Sequence, residues 1–303
     1  MEGIHTPVMV DQVLCCLNCL PGRTYCDGTV GLGGHAERIL DSTSPDGKLL
    51  GIDMDSKALA IAGERLAKFR DRVTLVHGNF KDLPSIMESH KITALDGVLL
   101  DLGVSSYQLG NKERGFSFLS DEPLGMNFDP SGGIRASDIV NRYQESELAE
   151  IIWNYGEERW ARRIARRIVE ERRRGPIETT THLVRTICAA IPRSSGRWRI
   201  HPATRTFQAL RIEVNQELEN LARFLRVVWD CLKQGARVCI ISFHSLEDGL
   251  VKRFFREAAG KGREGDVHRR VDMITKKPLR PSPEEVRMNP RSRSARMRVA
   301  ECR

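Results

Sequence analysis

Apolar positions along this chain follow two alternating patterns. Short runs rich in aliphatic and β-branched residues (Thr24–Cys26, Lys48–Asp53, Val73–His77 and Gly97–Asp101) read as strands. Segments near 34–41, 56–69 and 83–90 carry apolar residues three and four apart and read as helices between them. Strands alternating with helices at this spacing predict βαβ units and a parallel sheet. Upstream, Thr6-Pro7 has the form of an N-cap followed by proline at the first helical position, and predicts a helix to about Cys19.

After Asp101 the rhythm breaks. Residues from about 111 to 205 contain no convincing strand; a Gly/Pro/Asp-rich loop (Asp121–Gly133) leads into amphipathic helices broken at Gly175-Pro176 and Pro192. Alternation resumes with a helix at about 207–233, a strand Arg237–Phe243, a helix at about 247–259, a polar stretch, and an edge strand at Ala295–Glu301. The pattern predicts an α/β, Rossmann-like sheet domain, residues 1–110 and 206–303, interrupted by a helical insertion at 111–205.

Charge adds a partner class. Lys+Arg 48 against Asp+Glu 40 leaves a net charge of +8 and a pI near 9.2, which favours a polyanion. The excess is concentrated. Residues 159–174 hold eight arginines, opposite an apolar face of Ala161, Ile164, Ala165, Ile168 and Val169. That helix is either a solvated face balanced by Glu157, Glu158, Glu170 and Glu171, or a surface that tracks phosphates. More arginines at 193, 197 and 199, and at 287, 291, 293, 296 and 298, favour the second.

No apolar run reaches the roughly 18 residues of a membrane span, and the N-terminal residues lack a signal-peptide pattern, so the expectation is a cytoplasmic protein without membrane contact. The eight cysteines lie in apolar stretches and read as reduced core residues. Cys16-x-x-Cys19 has metal-ligand spacing without a second pair, so no metal site is expected.

The candidate chemistry begins where the first strand runs into Asp27-Gly-Thr-Val-Gly-Leu-Gly-Gly-His35 and a helix. Glycines allow a tight turn and close approach to a ligand. Asp53, twenty residues beyond Gly33, closes the second strand, where a carboxylate can accept from both ribose hydroxyls. Gly31-x-Gly33-x-x-Ala36 also satisfies the dinucleotide fingerprint, which leaves a nicotinamide oxidoreductase open. Two features favour S-adenosylmethionine. Asp27 can pair with an ammonium but would repel a pyrophosphate. The next two strands also end in pocket candidates, Phe80 to pack on adenine (or to join the core) and Asp101 to face the reacting centre.

With these pieces placed, the chain resembles the bacterial small-subunit (16S) rRNA cytosine-N4 methyltransferase family, the MraW family. The matching stretches are His5-Thr-Pro-Val8, Asp27–His35, Asp101-Leu-Gly-Val-Ser-Ser-Tyr-Gln-Leu109, Arg114-Gly-Phe-Ser-Phe118, Tyr155-Gly-Glu-Glu158, His201–Ile212, Ile241–Asp248 and Asn289–Ala295. Each alone is weak; together, in this order and spanning nearly the whole chain, they are specific. The resemblance implies methylation of a decoding-centre cytosine; the expected partner is small-subunit rRNA, with naked RNA and a ribosomal particle both left open as substrate. It also implies cofactor contacts at Gly33, Gly34, His35, Asp53, Phe80, Asp101 and Gln108, of which only Gln108 is not also suggested by position. One stretch departs: where the family pattern has Leu-Asp-Met-Arg-Met-Asp, this chain reads Leu124-Gly-Met-Asn-Phe-Asp129, two charges fewer. Those charges either place substrate or are structural and compensated; in the first case a non-catalytic RNA-binding assembly factor is the rival reading.

Transfer to an exocyclic amine needs chiefly in-line placement and an acceptor near the nitrogen; Asp101, or a backbone carbonyl just after it, is the candidate, and Asp101 is the candidate catalytic residue unless it serves the cofactor alone. Transfer to a ring carbon needs a cysteine nucleophile, and none of the eight cysteines follows a proline. The Asp/Asn-Pro-Pro-aromatic signature of DNA amino-methylases is also missing, with Leu102-Gly-Val-Ser105 in its place. His244 and Ser245, and His201 and Arg205, are pocket candidates by loop position, each with a plain structural reading as a helix cap or turn.

Overall fold

The structure, a computed structural model, describes residues 7–192, 200–260 and 270–303. His5, Thr6, Arg193, Arg197 and Arg199 lie outside the described residues. The chain divides into two compact units, Met1–Gly103 with Leu218–Arg303, and Val104–Glu217.

In chain order the first unit begins with α1 (Val10–Leu17), β1 (Thr24–Asp27), α2 (Gly34–Ser42), β2 (Lys48–Asp53), α3 (Ser56–Arg65), β3 (Val73–His77), α4 (Leu83–Ser89) and β4 (Leu95–Asp101). The second unit holds α5 (Ser106–Gly110), α6 (Ala136–Arg142), α7 (Glu145–Gly156), α8 (Ala161–Arg172), α9 (Thr180–Ala190) and α10 (Ala203–Asn215). From the boundary onward come α11 (Glu217–Val227), β5 (Leu232–Ser242), α12 (Ser245–Ala258), β6 (Val271–Met273), α13 (Pro283–Met288) and β7 (Arg296–Cys302).

Among the described residues one seven-stranded sheet runs in the order β3-β2-β1-β4-β5-β7-β6. The pairs from β3 to β5 are parallel, and β7 is antiparallel to both β5 and β6. The strands are apolar on both faces because both are covered. Alternate residues Cys26, Leu50, Ile52, Val98, Leu100, Val238 and Ile240 pack with α4, α11 and α12 through Leu83, Phe224 and Phe255. The other set, Tyr25, Leu49, Leu99, Cys239, Ile241 and Val299, packs with α1 and α2 through Val13, Leu17, Ile39 and Leu40.

Three expectations change here. The helix expected from Thr6-Pro7 begins only at Val10. Met9 stands before it in the left-handed region (φ 55), with its N–H on Glu285 Oε1 at 2.6 Å. Pro7 is used for packing instead: a Cβ added at Gly34 would lie 3.1 Å from Pro7 Cγ. The helix expected over 207–233 is broken at Gln216, whose φ of 49 separates α10 from α11. The strand expected at Ala295–Glu301 is not an edge, since β6 lies outside it; three residues inside a charged stretch carry too little pattern to stand out.

The second unit is helical, with only an isolated bridge, Pro123 to Thr179, among its described residues. Its core joins Ile139 of α6, Ile152 of α7, Ile164 and Ile168 of α8, Ile187 of α9 and Leu210 of α10. The Gly/Pro/Asp-rich loop is anchored to this core. Arg114 Nη2 donates to the carbonyls of Asn127 and Phe128 at 2.8 Å each. Asn215 accepts from Phe128 N and donates to Met126 O, both at 2.7 Å. Buried Glu122 accepts from Gly115 N and Ser120 Oγ. At the two positions that lose a charge relative to the family pattern, a Cβ at Gly125 would lie 3.1 Å from the Arg114 carbonyl oxygen, and Asn127 Nδ2 donates to Ile134 O at 2.6 Å. Asn127 thus closes the loop with an amide.

Candidate active site

The chain leaves β1 towards β2 and β3 on one side and returns to β4 on the other, so β1 and β4 flank the switch point where open α/β sheets bind ligands. Carboxylates end three adjacent strands there: Asp27 on β1, Asp53 on β2 and Asp101 on β4. The glycine loop is tied to each of them. Thr29 N donates to Asp27 Oδ1 at 3.2 Å, Gly31 N to Asp53 Oδ2 at 2.8 Å, and Asp101 N to Thr29 Oγ1 at 2.7 Å. Gly31 and Gly33 hold φ of 52 and 79, where a side chain is disfavoured.

Carboxylates gathered this way resist ionisation. Burial pushes Asp27 up to about 7, with Asp53 adding to the rise, and pushes Asp53 up to about 6 against its backbone hydrogen bonds. Asp101 is held well above the usual carboxylate range by burial, then by Asp27 and Glu247. Among the described residues no lysine or arginine forms an ion pair with any of the three, and Asp101 Oδ1 is buried without a hydrogen-bond partner. His35 is the nearest cationic candidate, its Nδ1 lying 3.7 Å from Asp101 Oδ2. Its Nε2 meets the Val8 carbonyl at 2.8 Å; a carbonyl only accepts, so Nε2 carries the hydrogen. Such carboxylates ionise readily only beside a positive partner. S-adenosylmethionine, with a sulfonium, an ammonium and a ribose diol, has the groups this set lacks, whereas a pyrophosphate would add to the repulsion.

Six of the seven expected cofactor residues fall in this unit. Gly33 caps α2, Gly34 and His35 form its first turn, and Asp53 and Asp101 end strands. Phe80 follows β3, half-buried, its ring edge-on to Phe224 at 5.6 Å; it belongs to the core margin and keeps part of its surface free. Gln108 belongs to the other unit, where Ser105 N donates to its Oε1 in a capping box that starts α5.

His244 caps α12, its Nδ1 facing the N–H of Glu247, and Ser245 is the first residue of that helix. His201 Nδ1 accepts from Ala203 N and its ring stacks on Phe118, while Arg205 donates to Glu157 O. Those contacts account for His201 and Arg205 structurally, and for the Nδ1 side of His244, whose Nε2 is buried without a hydrogen-bond partner among the described residues. Two site residues escape position-based reading. Thr29 links the glycine loop to β4, and Glu247 accepts from Phe243 N beside Asp101. Glu247 is detectable only as the third residue after a cap, the signature of a capping box.

The arginine helix α8 separates into roles. Arg172 Nη1 donates to Val140 O and Tyr143 O, so it is structural. Arg167 and Arg174 pair with Glu171, and Arg166 faces Glu145 at 3.7 Å. Among the described residues no carboxylate pairs with Arg159, Arg162, Arg163 or Arg173, all of them exposed.

Cysteine chemistry is disfavoured: burial raises the pKa of Cys26, Cys239, Cys231 and Cys19, the last to about 12, so these sulfurs stay protonated. Cys16 and Cys19 pack against the α1–α2 core cluster. No helix is long and apolar enough to cross a membrane among the described residues.

Comparison with known proteins identifies the family. The chain is 51% identical over 305 residues to ribosomal RNA small subunit methyltransferase H of Geotalea uraniireducens, covering 98% of each. It is 48% identical to the enzyme of the same name from Syntrophobacter fumaroxidans, covering 98% of this chain and 96% of that one. A solved rRNA methylase from Streptococcus thermophilus is a distant structural likeness, at 9% identity and a TM-score of 0.43 over 97% of this chain and 93% of that one. The MraW methylase family matches residues 2–303. A sheet with this switch point, three strand-end carboxylates with no lysine or arginine partner among the described residues, and a match across the chain lead to one conclusion: the chain belongs to the MraW methylase family, and its methyl donor is S-adenosylmethionine.

Proposed function

We propose that this protein methylates the exocyclic N4 amine of a decoding-centre cytosine in small-subunit (16S) rRNA, within a ribosomal particle. The observation that carries the amine chemistry is Asp101, a carboxylate at the β4 end whose buried Oδ1 has no hydrogen-bond partner. An acceptor there can orient an amine and hold the positive charge that develops on it. The raised cysteine pKa values speak against the covalent route to a ring carbon. The names of the relatives support the rRNA substrate, and the family resemblance supports the N4 atom and the decoding centre.

S-adenosylmethionine supplies an electrophilic methyl group on a positively charged sulfur. Asp53 accepts from the ribose hydroxyls with the lone pairs that Gly31 and Asp55 leave free. Asp27 neutralises the ammonium, Phe80 packs against the adenine, and Gly33 and Gly34 let the backbone approach. His35 braces Asp101. The amine's surplus proton leaves after transfer, so Asp101 acts mainly by placement. The target base must leave its stack to be reached, and the unpaired arginines of α8 supply sequence-independent affinity.

Incubation with labelled S-adenosylmethionine and immature small subunits, followed by mass-spectrometric mapping, tests this. Label on a single cytosine, lost in Asp101→Ala, is expected. Tight binding of the particle without label would point instead to an assembly factor that does not catalyse.

A further inference from the structure

The groove between α7 and α8, about 1080 Å³, belongs wholly to the helical unit and is lined in part by Ser146, Ala149, Trp153, Trp160, Arg162 and Arg166. Two indoles, Trp153 and Trp160, line it. The buried residues of α7 are Leu148, Ile151, Ile152 and Gly156, so Trp153 sits off the core stripe with 60% of its surface exposed. Core packing therefore does not explain an indole at this position. Among the described residues no other ring and no cation packs on it.

The second indole at the groove is treated differently. The guanidinium groups of Arg159 and Arg163 lie 5.1 and 5.6 Å from the Trp160 ring centre, which fixes two charges beside the groove. Arg162 has no carboxylate partner among the described residues, and Arg166 has only Glu145 at 3.7 Å. Four arginines thus face two glutamates, Glu145 and Glu150, and the groove is net positive.

A bare aromatic face with cations around it matches the two parts of an unpaired nucleotide, a base to stack and phosphates to neutralise. Duplex RNA offers the phosphates but no free base face. A protein partner would have to be acidic and would gain nothing specific from an open indole flanked by guanidinium groups.

We propose that the α7–α8 groove holds an unpaired nucleotide of the substrate RNA, its base stacked on Trp153 and its flanking phosphates on Arg162 and Arg166. This rests on the reading of the substrate as RNA, and places a second point of contact in the helical unit.

The test uses the full chain and its Trp153→Ala, Trp153→Phe and Arg162→Gln variants. Binding is measured to fluorescein-labelled oligocytidylate, single-stranded and annealed to its complement, and KM is measured for immature small subunits. Trp153→Ala is expected to weaken single-strand binding about tenfold and raise KM by a similar factor. Trp153→Phe should retain most of the affinity, and duplex binding should change little. Arg162→Gln should lower the salt slope for the single strand by about 0.7. Trp153 is exposed, so an unchanged melting temperature will show that the variant folds. Equal losses for single strand and duplex, or no loss in either, would overturn the proposal. Should wild type label the particles while Trp153→Ala matches it in affinity and KM, the groove inference fails alone and the surface is open to a protein partner. Should wild type put no label into RNA, it is the substrate reading that fails.

Discussion

The backbone amide of Gly31 donates to Asp53 Oδ2 at 2.8 Å, joining the glycine loop to the end of the neighbouring strand. Asp55 N holds the other oxygen at 2.8 Å. Asp53→Ala therefore removes both the proposed ribose acceptor and the strut that sets the loop. Affinity for S-adenosylhomocysteine should fall by about 10- to 100-fold, the loss expected for a charged hydrogen-bonding group. Isothermal calorimetry checks this, and unchanged affinity would remove Asp53 from the ribose role.

Asp27 connects binding to stability through pH. Its carboxyl is pushed up to about 7 from an ordinary 3.8, so between about pH 4 and 7 the folded protein binds a proton that the unfolded chain has released. A raised carboxylate pKa therefore lowers stability as pH rises through that window. Asp27→Asn should raise the stability of the cofactor-free protein at pH 8, by about 2–4 kcal/mol at most, and do little at pH 4. Cofactor affinity should move the other way, weaker in the variant and, in wild type, declining as pH falls from 8 to 5. Thermal melts and calorimetry across pH read both signs.

The arginines of α8 should separate by partner. Replacing Arg162, Arg166 and Arg173 together should flatten the salt dependence of RNA binding by up to about 2 in log–log slope, without a large loss of stability. Arg172→Ala should instead lower the melting temperature, because Val140 O and Tyr143 O lose their donor, while the slope stays near that of wild type. A slope unmoved by the triple replacement would return α8 to an ordinary solvated face.

Gly115 tests the anchored loop of the helical unit. Its φ is +69, and a Cβ there would fall on the Pro123 carbonyl oxygen. Gly115→Ala should destabilise the protein by about 2–4 kcal/mol, through strain and the displaced Pro123–Gly125 backbone. Denaturant titration measures it; a loss under about 0.5 kcal/mol would mean that the loop yields easily.

The strands that form the proposed cofactor site are readable because each combines an apolar run with a polar end. Asp53 and Asp101 announce themselves as carboxylates closing such runs, and Asp27 by standing before glycines. What could not be read was mutual influence: nothing local in Asp27, Asp53 and Asp101 says that burial and proximity raise their pKa values together. The break at Gln216 was hidden because a left-handed residue flanked by good helix formers leaves the apolar periodicity intact. β6 was hidden by its length and β7's inner position by that omission. The arginines of α8 showed their helical face but not their partners, since Arg172 differs from Arg173 only in what the fold places opposite it.

The pairing of β5 with β7 has a consequence for synthesis. From Arg237 to Ser242 the outer side of β5 is satisfied by residues Arg296 to Glu301, a strand that follows every other strand in the chain. During translation β1 to β5 can assemble while β5 still presents an open rank of amides and carbonyls, the kind of border on which nascent chains cross-associate. The helical unit is complete before that moment. Completion of the sheet thus waits for β7, and a ribosome stalled before Arg296 would carry a methylase with β1 to β5 paired and its flank unsealed.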